Sequence, residues 1–131
     1  MFLLSKKYFT PEEANELLPY VRAELSFMQE AKRTFYKLYQ QREEVKKLLP
    51  VDESELFAVE CRLEFMELEA KARITRLLEK GVQVKDVDIG LFDFPAMING
   101  EEVLLCWREG ESEITHYHGL HEGFQGRKKL E

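Results

Sequence analysis

Positive charge is in short supply in this chain. Nineteen Lys and Arg stand against 25 Asp and Glu, a formal net charge of −6 over 131 residues. A surface that tracks a phosphate backbone needs the opposite balance, so no nucleic-acid partner is expected. Cysteine is scarce as well, with only Cys61 and Cys106. A secreted domain of this size stapled by disulfides carries more, at tighter spacing. The two are therefore read as separate reduced thiols in a cytoplasmic protein. No apolar run approaches the ~20 residues of a membrane span, so no membrane partner is expected. The opening stretch from Met1 to Lys7 is too short for a secretion signal and carries its charges on the wrong side. Four prolines and seven glycines leave long stretches unbroken, which permits long helices.

What is present is 44% hydrophobic and 34% charged residues, the mixture of a globular chain with a core. The length suits a single domain over residues 1–131. The fold class read from the pattern is α+β: a long antiparallel two-helix hairpin (10–81) packed against a small C-terminal antiparallel β-meander (82–118), then a loop and tail (119–131).

Thr10-Pro11-Glu12-Glu13 starts the first helix. Thr10 and Glu13 have the spacing of a capping box, and Pro11 sits where a missing N–H costs nothing. Ala14, Leu18, Val21, Leu25, Met28, Phe35, Leu38 and Val45 then recur near every 3.6 residues. Pro19 inside this run should kink or tighten the first turns. Pro50 marks the end, and Asp52 or Ser54 caps a second helix with a stripe from Leu56 to Leu77. Gly81 is placed to close it in a left-handed conformation. Beside the main seam lies a second apolar stripe: Phe27, Phe57, Cys61, Phe65, Leu68 and Ala72. Two helices share one seam, so this stripe needs another partner. The C-terminal third can cover part of it, and a second copy of the chain the rest, as a four-helix bundle.

After Gly81 the pattern switches to period two. Asn99-Gly100 between two alternating runs is a hairpin signal, because both turn residues need positive φ. A two-residue turn there pairs Ala96 with Val103, Phe94 with Leu105, Asp93 with Cys106 and Phe92 with Trp107. One face is then wholly apolar, from Phe92 to Trp107, and should cover the helices. The other carries Asp93, Pro95, Glu102, Cys106 and Arg108, the mixture of a solvent-facing or site-bearing surface. Pro95 cannot donate to a ladder, so its strand is an edge or bulges there. A second turn at Glu109-Gly110-Glu111-Ser112 leads to a third strand from Glu113 to His118. The parity of that turn decides whether His116 and His118 join the apolar face or join Asp93 and Cys106, and the sequence leaves both open. The tail from Gly119 has no periodicity and reads as a loop with a frayed basic end.

All three histidines lie within His116-Tyr117-His118-Gly119-Leu120-His121-Glu122. His-x-His on a strand turns two imidazoles to one face, a spacing able to chelate Zn²⁺ or a similar divalent ion, with His121 or Glu122 as a further ligand. The alternative is a pair of hydrogen-bonded structural histidines. Asp93 and Arg108 are diagonal neighbours in the proposed register, with Cys106 directly across from Asp93. Carboxylate, guanidinium and thiol together can bind a small anion or orient a histidine, the alternative being an exposed cross-strand ion pair. Cys106 beside an acid is no activated nucleophile. Gly123 to Gly126 followed by Arg127 lacks the ending of a P-loop, but its backbone amides and Arg127 can hold an anion.

Four blocks carry a resemblance that covers nearly the whole chain: Phe9 to Pro19, Gly90 to Ala96, Leu105 to Glu111, and Tyr117-His118 through Arg127. In these blocks the chain resembles the bacterial domain-of-unknown-function 2203 family. Members look like Leu-Val-Asp-Phe-Pro-Ala, then Leu-Cys-Trp-Arg-x-Gly-Glu, then Trp-His with an acid three residues on, then Gly-Phe-x-Gly-Arg. Asp93, Cys106, Trp107, Arg108, Glu111, His118 and Arg127 match those positions. Tyr117 stands where the family shows Trp, His121 where it shows Asp, and His116 matches no fixed position. The resemblance implies that sheet and tail form the functional end and the hairpin the scaffold. It implies no reaction.

Two functions are carried forward. The first is a dimeric interaction or structural protein, joined through its helices. The second is a small-ligand- or metal-binding protein or enzyme, with His118 and His121 on a divalent metal and Asp93, Arg108 and Arg127 on a small-molecule ligand.

Overall fold

The computed structural model describes residues 7–131, so the reading of the first six as no signal lies outside the described residues. Helix α1 runs over Pro11–Lys46 and α2 over Glu53–Glu79. At 1.5 Å per residue they are about 54 and 40 Å long. The Thr10 hydroxyl accepts from the Glu13 N–H, and the Glu13 carboxylate accepts from the Thr10 N–H. Those bonds to Thr10 hold the Glu13 carboxyl below its ordinary pKa. Asp52 is the cap of α2, accepting from the Glu55 N–H. Gly81 closes that helix at φ +93. Helix α1 continues through Pro19, which is exposed on its outer side.

A five-stranded antiparallel meander follows in the order β1-β2-β3-β4-β5: Gln83–Asp86, Leu91–Ile98, Glu101–Arg108, His116–Gly119 and Lys128–Lys129. The β2–β3 register is the one that Asn99-Gly100 dictates, with Phe92 opposite Trp107, Asp93 opposite Cys106 and Ile98 opposite Glu101. Both turn residues have positive φ, 52 and 79. Pro95 lies past the end of β1, where the outer side of β2 is free of a strand and the Phe9 N–H donates to the Pro95 carbonyl.

The apolar sheet face packs under the inner half of α1. Ala14 to Met28, Leu77, Phe92, Phe94, Leu105 and Trp107 belong to one continuous core. The outer halves of the two helices extend beyond it, with Leu38, Val59 and Leu63 in a small second cluster and Val45 buried farther out.

Two expectations are corrected. Residues 113–115 are not strand: Ile114 drops into the helix-side core, its N–H donating to Asn15 Oδ1 at 2.7 Å. That irregular stretch resets the alternation, so β4 enters with His116 opposite Cys106 and His118 opposite Leu104. The histidines therefore share the face of Asp93 and Cys106. The tail is not frayed either. After a short 3₁₀ turn at Phe124–Gly126 it returns beside β4, pairing Lys129 with His116 and Lys128 with Tyr117. No described helix is long and apolar enough to cross a membrane.

Candidate metal centre on the outer sheet face

Asp93, Cys106 and His118 come from three consecutive strands and face away from the helices. Although the alternation reads as a half-solvated surface, all three are buried, at 2%, 0% and 3% exposure. One ligand atom from each lies within 4.8 Å of the others. His118 Nε2 is 3.1 Å from Asp93 Oδ2, reaching across β3.

The hydrogen bonds define what this cluster lacks. His118 Nδ1 is 2.9 Å from the Gly119 carbonyl oxygen. A carbonyl only accepts, so Nδ1 donates to it, and were the ring neutral Nε2 would have no proton. Nε2 then turns a lone pair toward a carboxylate, which also only accepts. Two acceptors at this distance need a cation between or beside them, either a proton on the ring or a metal ion. Asp93 Oδ1 has no hydrogen-bond partner among the described residues. Buried polar atoms rarely go unpaired, and besides the Cys106 thiol, whose pKa responds to a hydrogen bond with Asp93, this oxygen can take a further donor or a cation. The Cys106 thiol is pushed up to about 12, first by burial and then by the Asp93 charge, with Arg127 opposing. It is a protonated, unreactive thiol in the absence of a metal.

Glu111 secures the rim. Its Oε1 accepts from the Arg108 N–H at 2.7 Å, its Oε2 from Arg127 at 2.6 Å, and its carbonyl from Trp107 Nε1 at 2.9 Å. Arg22 on α1 reaches over the Trp107 ring and bonds the Ser112 carbonyl. Phe124 lies against the guanidinium groups of Arg127 and Arg108, 4.6 and 5.3 Å from its ring centre. Glu122 is held inside the tail loop, accepting from the Gly119 N–H. A Cβ at Gly126 would sit 2.9 Å from the Glu122 Cβ, which accounts for that glycine.

The sequence-derived candidates therefore divide. Asp93 and His118 are joined in one buried cluster. Arg127 is close enough for its charge to act on Cys106, and its Nε has no partner among the described residues. Arg108 is exposed and stacked on Phe124, and Asp93 bonds to His118. His121 is exposed on the turn, outside the cluster, and His116 bonds the Thr115 hydroxyl. Cys106 joins the cluster as a candidate metal donor, a role the sequence does not single out, although its place directly opposite Asp93 in the register is the signal for it.

The family model for an uncharacterized conserved protein, DUF2203, matches residues 7–130. The chain belongs to this family. Of the seven positions named by the resemblance, Asp93, Cys106 and His118 share the outer sheet face, Arg108, Glu111 and Arg127 form its rim, and Trp107 lies on the helix side with its indole N–H on the Glu111 carbonyl. No curated protein and no solved structure gives a significant match.

Proposed function

We propose that this chain is a metal-binding protein of the cytoplasm that holds one Zn²⁺-class divalent ion through Asp93 Oδ, Cys106 Sγ and His118 Nε2. The observation that carries the reading is the convergence of oxygen, sulfur and nitrogen donors within 4.8 Å in a buried spot where Asp93 Oδ1 is unpartnered. Bond lengths of about 2.0–2.3 Å put neighbouring donors of a tetrahedral ion roughly 3.3–3.6 Å apart. The 3.1 Å Asp93–His118 contact is close to that, and small side-chain rotations close the rest. The mixed donor set suits Zn²⁺ better than Mg²⁺ or Ca²⁺, which prefer oxygen alone. The Nδ1–carbonyl bond orients the imidazole, the outer-shell support that metal-binding histidines usually have. Three protein donors leave a fourth position for water or a small ligand, beside Arg127. The cytoplasmic setting is supported by the two free thiols, one exposed and one buried.

Equilibrium titration with Zn²⁺, on protein purified without a histidine tag, tests this reading. One equivalent should bind, with at least tenfold weaker affinity in Asp93→Asn, Cys106→Ser and His118→Ala. His116→Ala and His121→Ala should bind as the wild type does. Loss in His121→Ala alone would replace this site with one on the turn, and equal binding by every variant would remove it.

A further inference from the structure

The outer face of α2 carries a row of apolar side chains that the fold leaves open. Phe57, Phe65 and Leu68 are 70%, 65% and 59% exposed, and Cys61 and Ala72 are exposed between them. At 100° per residue these five fall within an arc of about 80°, one straight stripe about 22 Å long. Phe27, which the sequence placed with them, is separate: the Arg73 guanidinium lies 3.5 Å from its ring centre and is paired with Glu24. The stripe lies mostly on the outer part of the hairpin, where the buried core is small: Leu38, Val59 and Leu63 in one cluster, with Val45 beyond them.

We infer that this face is the interface between two copies of the chain, with the two α2 helices antiparallel about a two-fold axis beside Phe65. Three features of the stripe select that occupant and direction. It is self-complementary in size when reversed: Phe57 meets the partner copy's small residue at 72, Leu68 meets its small residue at 61, and the Phe65 rings meet at the axis. A parallel pair would set Phe57 on Phe57 and Ala72 on Ala72, a clash at one end and a void at the other. Charge follows the same rule. Residues 53–65 hold four glutamates and one arginine, whereas residues 66–80 hold three glutamates and four Lys or Arg. Reversal brings the acidic half of one helix to the more basic half of the other. The assembled pairs form a four-helix bundle, which gives the outer hairpin the core it lacks within one chain. This inference stands apart from the metal site, which lies on the far side of the sheet.

Cross-linking separates the arrangements. In the antiparallel pair the Cys61 residues are about 10 Å apart along the axis, beyond disulfide reach. Wild-type protein should stay free of a disulfide under mild oxidation, whereas Phe65→Cys in a Cys61→Ser background should form a covalent dimer within minutes. Light scattering of the wild type at micromolar concentration should give twice 15.5 kDa. Phe65→Lys should give a monomer with the wild-type helical content, since an exposed residue contributes little to the single chain. A wild-type mass of 15.5 kDa, or cross-linking through Cys61 in place of position 65, would overturn the proposal.

Discussion

Trp107 shows how one side chain links the core to the site. It is 1% exposed, packs against Phe92, and donates its indole N–H to the Glu111 carbonyl. Trp107→Ala should cost about 3–5 kcal/mol, measured by urea unfolding. Its fluorescence in the native protein should be blue-shifted and poorly quenched by iodide. Cys106 makes a different prediction. Its pKa rises from an ordinary 9.0 to about 12 on folding. A raised folded value means the native state keeps the proton longer than the unfolded chain. The stability this contributes is complete below pH 9 and drains as pH climbs from about 9 toward 12. Apo protein should therefore lose stability over that window, and Cys106→Ser should lose less. At pH 8 iodoacetamide should label the exposed Cys61 and leave Cys106 unmodified until the chain is denatured.

At the scale of elements, the helices were legible because their signals are local. The Thr10–Glu13 box, the Asp52 cap and Gly81 are each set by neighbours a few residues away, and the buried stripe of α1 repeats with the helical period. Thr10→Ala should lower stability by about 1 kcal/mol, read as a shift in the denaturation midpoint. The β2–β3 register was legible for the same reason, since Asn99-Gly100 admits one turn geometry. The parity of β4 was not. It depends on how residues 109–115 leave the ladder, and that is decided by Ile114 entering a core built largely by α1, nearly a hundred residues earlier. Strand β5 escaped notice because two residues carry no periodicity. The burial of Asp93 was hidden as well: an alternating strand with a polar face reads alike whether water or a returning tail covers that face.

At the scale of the whole molecule, the two proposals rest on separate surfaces. The hairpin carries the apolar stripe proposed to meet a second copy, and the sheet gathers the three proposed metal donors beside a rim built from Glu111, Arg127 and Phe124. Asp93, Cys106 and His118, three of the residues that the family resemblance singled out, form the proposed site, which makes metal binding the central claim. Cobalt substitution tests it most directly, because the spectrum reports the donor atoms themselves. Wild-type protein with one equivalent of Co²⁺ should show visible d–d bands of tetrahedral intensity and a near-ultraviolet sulfur-to-cobalt charge-transfer band. Cys106→Ser should lose the charge-transfer band, whereas Cys61→Ser should keep it. A charge-transfer band that persists in Cys106→Ser, or a wild-type spectrum no different from cobalt in buffer, would contradict the assignment.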